Sequence, residues 1–103
     1  MARCKITVLK TALFQDLADE YVTRPGYGPC SRNNVGDVYY TGGHFGTDMP
    51  EGFCPQAWES LVMPVNVLVG GGKVFGFDEV HIASCADGLR PVVFRLERAE
   101  DDI

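Results

Sequence analysis

Three of the four cysteines in this chain stand at turns and element ends rather than inside apolar runs. Cys30 follows a Gly-Pro pair, Cys54 precedes a proline, and Cys85 begins a Cys-Ala-Asp-Gly turn. Thiols at such positions can be reached by a metal ion, a substrate or another sulfur, and the thiolate is the form that attacks or ligates. Cys4 lies at the start of a strand pattern, so we expect it to be structural.

Cys54 has the strongest physical case among them. Proline is favoured at the first position of a helix, so Pro55 predicts a helix start with Cys54 at its N-cap. Free N–H groups and the macrodipole at that position stabilise anions, which favours a reactive thiolate or a good metal ligand. We therefore predict that Cys54 is an activated, catalytic thiolate. The alternative is a half-buried apolar residue that caps the helix poorly.

The segment that begins at Cys85 adds charged groups. Arg90 is expected to be extended because a proline follows it, and arginine can hold a carboxylate through two parallel hydrogen bonds. We predict that Cys85 and Arg90 are catalytic companions of Cys54, with Arg90 as an anion clamp. Asp87 is a candidate ligand-binding residue, although an aspartate before glycine commonly bonds its own turn. Pairing with a surface acid is the structural alternative for Arg90.

A pocket wall and a metal site are two further hypotheses. Apolar and aromatic residues near these segments predict a wall for a small, flat ligand, made of Tyr40, Met49, Phe53 and Trp58. If Cys30, Cys54 and Cys85 converge, they can hold a metal ion or an iron–sulfur cluster. Against this, the chain has no Cys-x-x-Cys pair, which zinc sites and ferredoxins normally contain. The cofactor is thus left open.

The two histidines are weaker candidates for functional residues than the cysteines. His44 lies in a glycine-rich loop, where a solvated bystander is favoured over a ligand or a base. His81 alternates with Val80 and Ile82, so we expect it on the polar face of a strand.

Composition indicates one small globular domain over residues 1–103, with 46% hydrophobic and 22% charged residues. The net charge of −5 argues against nucleic acid as a partner. The sequence has no apolar run of membrane-spanning length and no signal-peptide pattern, so we expect no membrane association and a cytoplasmic protein with reduced thiols. So short a chain buries a modest core, and we expect a homo-oligomer.

Hydrophobic patterning predicts an α+β fold with a small, mostly antiparallel sheet and two or three short helices on one side. Strands are predicted at residues 4–10, 38–41, 74–85 and 91–98, and helices at residues 13–22 and from residue 54. Pro64 predicts a break or a kink near Met63, and glycines 70–72 predict the end of that helix. Residues 23–37 form a long loop that carries Cys30, and an acidic tail at about 99–103 is expected to fray.

Several motifs resemble a family of small bacterial and archaeal proteins of about this length, many of them from anaerobes. They are Lys5-Ile6-Thr7-Val8-Leu9-Lys10, Gly28-Pro29-Cys30, Met49-Pro50-Glu51-Gly52-Phe53-Cys54, Ala57-Trp58 and the run from Cys85 to Arg98. The similarity spans nearly the whole chain and is most specific in the last run. It implies that Cys30, Cys54 and Cys85 belong to the family pattern and that Cys4 does not, and it implies no activity. The longer loop at residues 41–48 departs from the pattern.

The leading hypothesis is a protein with a cysteine-lined small-ligand or metal site, and whether it is an enzyme is left open. The alternative is a non-catalytic accessory module that assembles with itself or with a larger enzyme, with its cysteines as buried packing. A thiol redox protein is disfavoured because the Cys-x-x-Cys motif is absent.

Overall fold

A four-stranded antiparallel sheet and two helices form the described part of the protein. The computed structural model describes residues 2–75 and 80–100. In chain order the elements are β1 (Ala2–Thr11), α1 (Gln15–Tyr21), β2 (Val38–Tyr40), a 3-10 turn at His44–Gly46, α2 (Pro55–Val69), β3 (Val80–Ser84) and β4 (Val92–Glu100). The strand order is β2-β1-β4-β3, with every pair antiparallel. The α+β prediction is therefore confirmed.

The core lies between one face of the sheet and α2. Because side chains alternate along a strand, β1 and β4 each direct every second residue to this face. Leu61 is fully buried there, as is its neighbour on the helix, Val65. The buried cluster comprises Cys4, Ile6, Val8, Phe53, Ala57, Leu61, Val65, Leu68, Val69, Val92, Phe94 and Leu96. No described helix packs on the opposite face of the sheet.

Pro64 does not end the helix, so of the predicted break or kink near Met63 the break does not occur. Proline lacks an N–H group and removes one hydrogen bond from a helix interior. Pro64 is itself buried, together with Leu61 and Val65, and burial of this apolar stripe against the sheet offsets the lost bond. α2 continues to Val69 and ends at Gly70, as the glycine run predicts.

His81 lies on the core face, which corrects its predicted place on the polar face. It pairs with Leu96 across β3 and β4 and is 8% exposed, because the register turns its side chain inward and turns Ile82 outward. β3 is shorter than the predicted strand at 74–85, and residues 76–79 of that prediction lie outside the described residues.

Strand β4 extends further along the chain than predicted. Ala99 and Glu100 pair with Arg3 and Ala2, so β4 extends into the predicted frayed tail, whose residues 101–103 lie outside the described part. No helix among residues 2–75 and 80–100 is long and apolar enough to cross a membrane.

Replacement of Leu61 by alanine tests the packing of α2. Because this side chain is 0% exposed, Leu61→Ala should lower the free energy of unfolding by about 2–5 kcal/mol in urea denaturation. Met63→Ala is the matched control, since Met63 lies on the same helix and is 72% exposed. Its change should stay within about 0.5 kcal/mol. Equal losses in the two variants would contradict this orientation of the helix.

Candidate functional site

Three segments that are distant in sequence border one cavity of about 100 Å³. They are the loop between α1 and β2, the first turn of α2, and the turn between β3 and β4. Cys30, Cys54 and Cys85 all line this cavity, together with Asp87 and Arg90. The remaining lining residues are Ser31, Arg32, Asn33, Gln56, Ala57 and Val92. The structure thus brings together the three thiols and the two charged residues that the sequence singled out.

Cys54 is the N-cap residue of α2, and Pro55 is the first helical residue. The backbone of Cys54 is extended (φ −70°, ψ 119°), and its side chain makes no capping hydrogen bond. The Trp58 N–H donates to the Cys54 carbonyl at 3.0 Å. The N–H groups of Gln56 and Ala57 donate to no residue that the structure describes. The wall of the cavity formed by α2 therefore carries a thiol beside two unused N–H donors.

Cys85 is held in place by its partner across the turn between β3 and β4. Its N–H donates to the Val92 carbonyl at 3.1 Å, and the Val92 N–H donates to the Cys85 Sγ at 3.4 Å. The Phe14 N–H donates to the Leu89 carbonyl at 2.8 Å and so ties this turn to the segment between β1 and α1. These bonds fix the position of the Cys85 sulfur on the cavity wall.

Asp87 organises the turn and orients Arg90. Its Oδ1 accepts hydrogen bonds from the Leu89 N–H at 3.0 Å and the Arg90 N–H at 3.2 Å, and its Oδ2 accepts one from Arg90 Nε at 3.0 Å. Burial alone raises the pKa of Asp87, but these hydrogen bonds outweigh it and lower the pKa below the ordinary value. Asp87 is thus a turn residue that positions the guanidinium, and its ligand-binding role stays a prediction.

Asp87 and Tyr27 hold the Arg90 guanidinium in place. The hydrogen bond to Asp87 raises the pKa of Arg90 and outweighs the opposite effect of desolvation. The guanidinium carbon lies 4.9 Å from the centroid of the Tyr27 ring, which is a cation–π contact. Neither Nη atom donates to a residue within the described ranges. The Nη edge of Arg90 is therefore held in a fixed orientation beside the cavity, without a partner among the described residues.

The long loop reaches the cavity because its end is fastened to β1. The Gly36 N–H donates to the Val8 carbonyl at 2.8 Å, and the Val8 N–H donates to the Asp37 carbonyl at 2.9 Å. A bulge between Val8 and Lys10 interrupts the pairing of β1 with β4 next to this attachment. Gly36 has a φ of +95°, a conformation that favours glycine.

Asn33, just before this attachment, is only 5% exposed and lines the cavity. Its side-chain amide makes no hydrogen bond with any described residue. The amide atoms are not among the fully enclosed polar atoms of the described residues, so they keep some access to solvent.

The predicted aromatic wall does not line this cavity. Phe53 is 2% exposed and belongs to the core, with its ring centroid 6.2 Å from that of Trp58, which packs against the same core. Tyr40 points outward beneath the Arg3 guanidinium, whose carbon is 4.3 Å from the ring centroid. Met49 is 38% exposed. The strand register explains this arrangement, because it directs Tyr39 towards Phe53 and Tyr40 outward.

The structure gives no geometric support to the metal hypothesis. Within residues 2–75 and 80–100, no group of three or more His, Cys, Asp or Glu side chains is arranged to hold a metal ion. Cys30, Cys54 and Cys85 share a cavity without forming such a group. His44 lies on the 3-10 turn and is exposed.

Cys4 differs from the other cysteines in its surroundings. It is 0% exposed, and burial raises its pKa to about 12 even though a backbone hydrogen bond acts in the opposite direction. It is therefore a protonated core residue at neutral pH. All four cysteines are free thiols.

Sequence reasoning missed six residues of the cavity: Ser31, Arg32, Asn33, Gln56, Ala57 and Val92. The donors of Gln56 and Ala57 follow from the predicted helix start, since the first N–H groups of any helix lack partners within it. Asn33 gave no local signal, because only the path of the loop brings it to the cavity.

No protein family, no curated protein and no solved structure matches the chain. The functional argument therefore stands on the contacts and chemistry of the cavity.

Asp87→Asn tests the role of Asp87 in the turn. Because the folded-state pKa lies below the unfolded value, the carboxylate stabilises the fold above about pH 4, and this contribution is lost as the pH falls through the folded-state pKa. Urea denaturation at pH 7 should show a loss of about 0.5–1 kcal/mol in the variant. The difference from the wild type should shrink as the pH falls below about 4.

Glu100→Gln serves as the matched control for this variant, because Glu100 forms a more exposed ion pair with Arg98, at 3.2 Å. Its effect at pH 7 should be smaller than that of Asp87→Asn. A pH-independent difference for Asp87→Asn would contradict the assigned role.

Proposed function

We propose that the protein binds a small anionic ligand in this cavity, with Cys54 as the reactive thiolate and Arg90 as the clamp for the anion. One observation carries the proposal. Three cysteines and an arginine from separate parts of the chain line the same small cavity. Cys30 and Cys85 flank the ligand, and no step depends on a metal.

The surroundings of Cys54 suit this role. The sulfur is half-buried at the start of a helix, where the backbone offers N–H donors and a partial positive charge. Nucleophilic cysteines require such electropositive and accessible surroundings, whereas buried structural cysteines are inert. A compartment that keeps thiols reduced suits a site of this kind, so we place the protein in the cytoplasm.

Alkylation with iodoacetamide followed by peptide mapping tests the proposal. In the folded protein at neutral pH, Cys54 should react about tenfold faster than the same cysteine in the urea-unfolded chain. Cys4 should stay unmodified until the protein unfolds, because it is buried and its pKa is raised to about 12. Cys54→Ser should remove the fast phase and leave the slower thiols unchanged. A Cys54 rate no faster in the folded protein would refute its role.

Self-assembly is the second candidate function, and the uncovered sheet face favours it. Val38, Leu9 and Ile82 are large apolar residues on the sheet that remain 44%, 37% and 38% exposed. No described helix packs on the face opposite α2. A monomer of this size gains stability if a second copy covers such a surface.

Light scattering on the wild type and an Ile82→Lys variant tests self-assembly. We expect a dimer that dissociates in the variant, because a lysine here would place a second positive charge beside Arg95, its neighbour across the strands, within the interface. Val35→Lys is the control, since Val35 is 65% exposed in the loop before β2. A monomeric wild type at high protein concentration would exclude this candidate.

A further inference from the structure

We propose that the cavity is built to recognise the carboxylate of a small monocarboxylic acid, and this inference rests on the anion-binding function proposed above. The groups that carry it come from three directions: the start of α2, the loop before β2, and the turn between β3 and β4.

The first contribution is the start of α2. Pro55 has no N–H group, and the N–H groups of Gln56 and Ala57 have no acceptor among the described residues. Cys54 stands where Ser, Thr, Asp or Asn would normally accept one of these bonds, and its sulfur does not do so. Two parallel donors at a helix start match the two oxygens of a carboxylate.

The second contribution is Asn33, which is independent of the helix. A side-chain amide in a residue that is 5% exposed would normally have hydrogen-bond partners, because an unpaired buried amide costs free energy. The Asn33 amide has no partner within the described part of the chain, and Asn33 is one of the residues that line the cavity. A bound acid would supply the missing partner, either through its carboxylate or through a polar group next to it.

The third contribution is the Nη edge of Arg90, whose surroundings favour a ligand with one negative charge over a ligand with two. Asp87 holds Arg90 through Nε and remains ionised because its pKa is lowered. The positive charges of Arg90 and Arg32 in the lining are opposed by the Asp87 carboxylate and by the proposed Cys54 thiolate, which repel a dianion such as phosphate more than a monoanion. The Nη edge is left for a planar, bidentate acceptor, which a carboxylate provides.

The remaining lining favours a short carbon chain. Ala57, Val92 and the thiols offer weakly polar surface, and a cavity of about 100 Å³ holds only a small molecule. The carboxylate would be held by the N–H donors, and the carbon next to it would lie against the sulfurs. This arrangement suits a small acid that presents a reactive carbon to Cys54.

Titration of the labelled protein with sodium propionate, followed by ¹H–¹⁵N spectra, tests the inference. The backbone amides of Gln56 and Ala57 and the side-chain amide of Asn33 should shift in a saturable way with propionate. Propionamide, a neutral molecule of similar shape, should leave them unchanged, as should sodium chloride at equal ionic strength. Larger, saturable shifts with inorganic phosphate than with propionate would overturn the choice of a carboxylate.

Two variants test the named groups. Asn33→Asp keeps the side-chain shape and adds a negative charge, so it should weaken propionate binding about tenfold or more. Arg90→Gln should weaken it by a similar factor. Asn34→Asp is the matched control, because it makes the same change at the next, exposed residue. Unchanged binding in both Asn33→Asp and Arg90→Gln would refute the inference.

These outcomes separate the inference from the proposed function. Saturable propionate shifts without a fast Cys54 alkylation would support carboxylate recognition and remove Cys54 as the nucleophile. Fast Cys54 alkylation without any shift from propionate would support the thiolate and refute the carboxylate site.

Discussion

The cavity depends on the way Phe53 fixes the start of α2 against the sheet. The Phe53 ring meets Tyr39 edge-to-face at 4.9 Å and packs against Phe94 at 5.5 Å. Aromatic pairs of this kind contribute about 0.5–1.5 kcal/mol each beyond the area that they bury. Cys54 and Pro55 follow directly in sequence, so the burial of this one ring determines where the helix begins. It thereby determines where the Cys54 thiol and the unused N–H donors lie.

The opposite walls are held by polar contacts rather than by apolar burial. Asp87 uses both carboxylate oxygens to shape the turn and orient Arg90, and Tyr27 supports the face of the guanidinium. Backbone bonds at Gly36 attach the long loop to β1 and bring Asn33 into place. A helix anchored in the core thus faces two segments that hydrogen bonds keep in register. Functional groups on loops that a rigid scaffold positions are the usual arrangement of binding sites.

Much of the fold could be predicted from sequence, because the alternation of apolar residues in strands and the proline and glycine residues at helix ends are local signals. Pro55 predicted the N-cap position of Cys54, and the glycine run predicted the end of α2. Properties that depend on register or tertiary packing could not be predicted in this way. His81 turns inward because β3 pairs with β4 in one register, and Pro64 stays helical because its neighbours are buried. The convergence of the cysteines depends on the path of the loop, which no local pattern determines.

Three local departures from the rules of stable structure coincide at the cavity. The helix start lacks a capping side chain, which typically costs about 1 kcal/mol. The nearly buried Asn33 amide has no partner in the described part of the chain, and the Arg90 edge is likewise unused there. Departures also occur elsewhere, since α1 likewise lacks a capping side chain, whereas Cys4 is neutral in the core and its N–H donates to Thr41 Oγ1 at 3.0 Å. Proteins concentrate such departures where function requires them. Because these three groups border one small cavity beside a thiol, they are the groups that the proposed anion would satisfy.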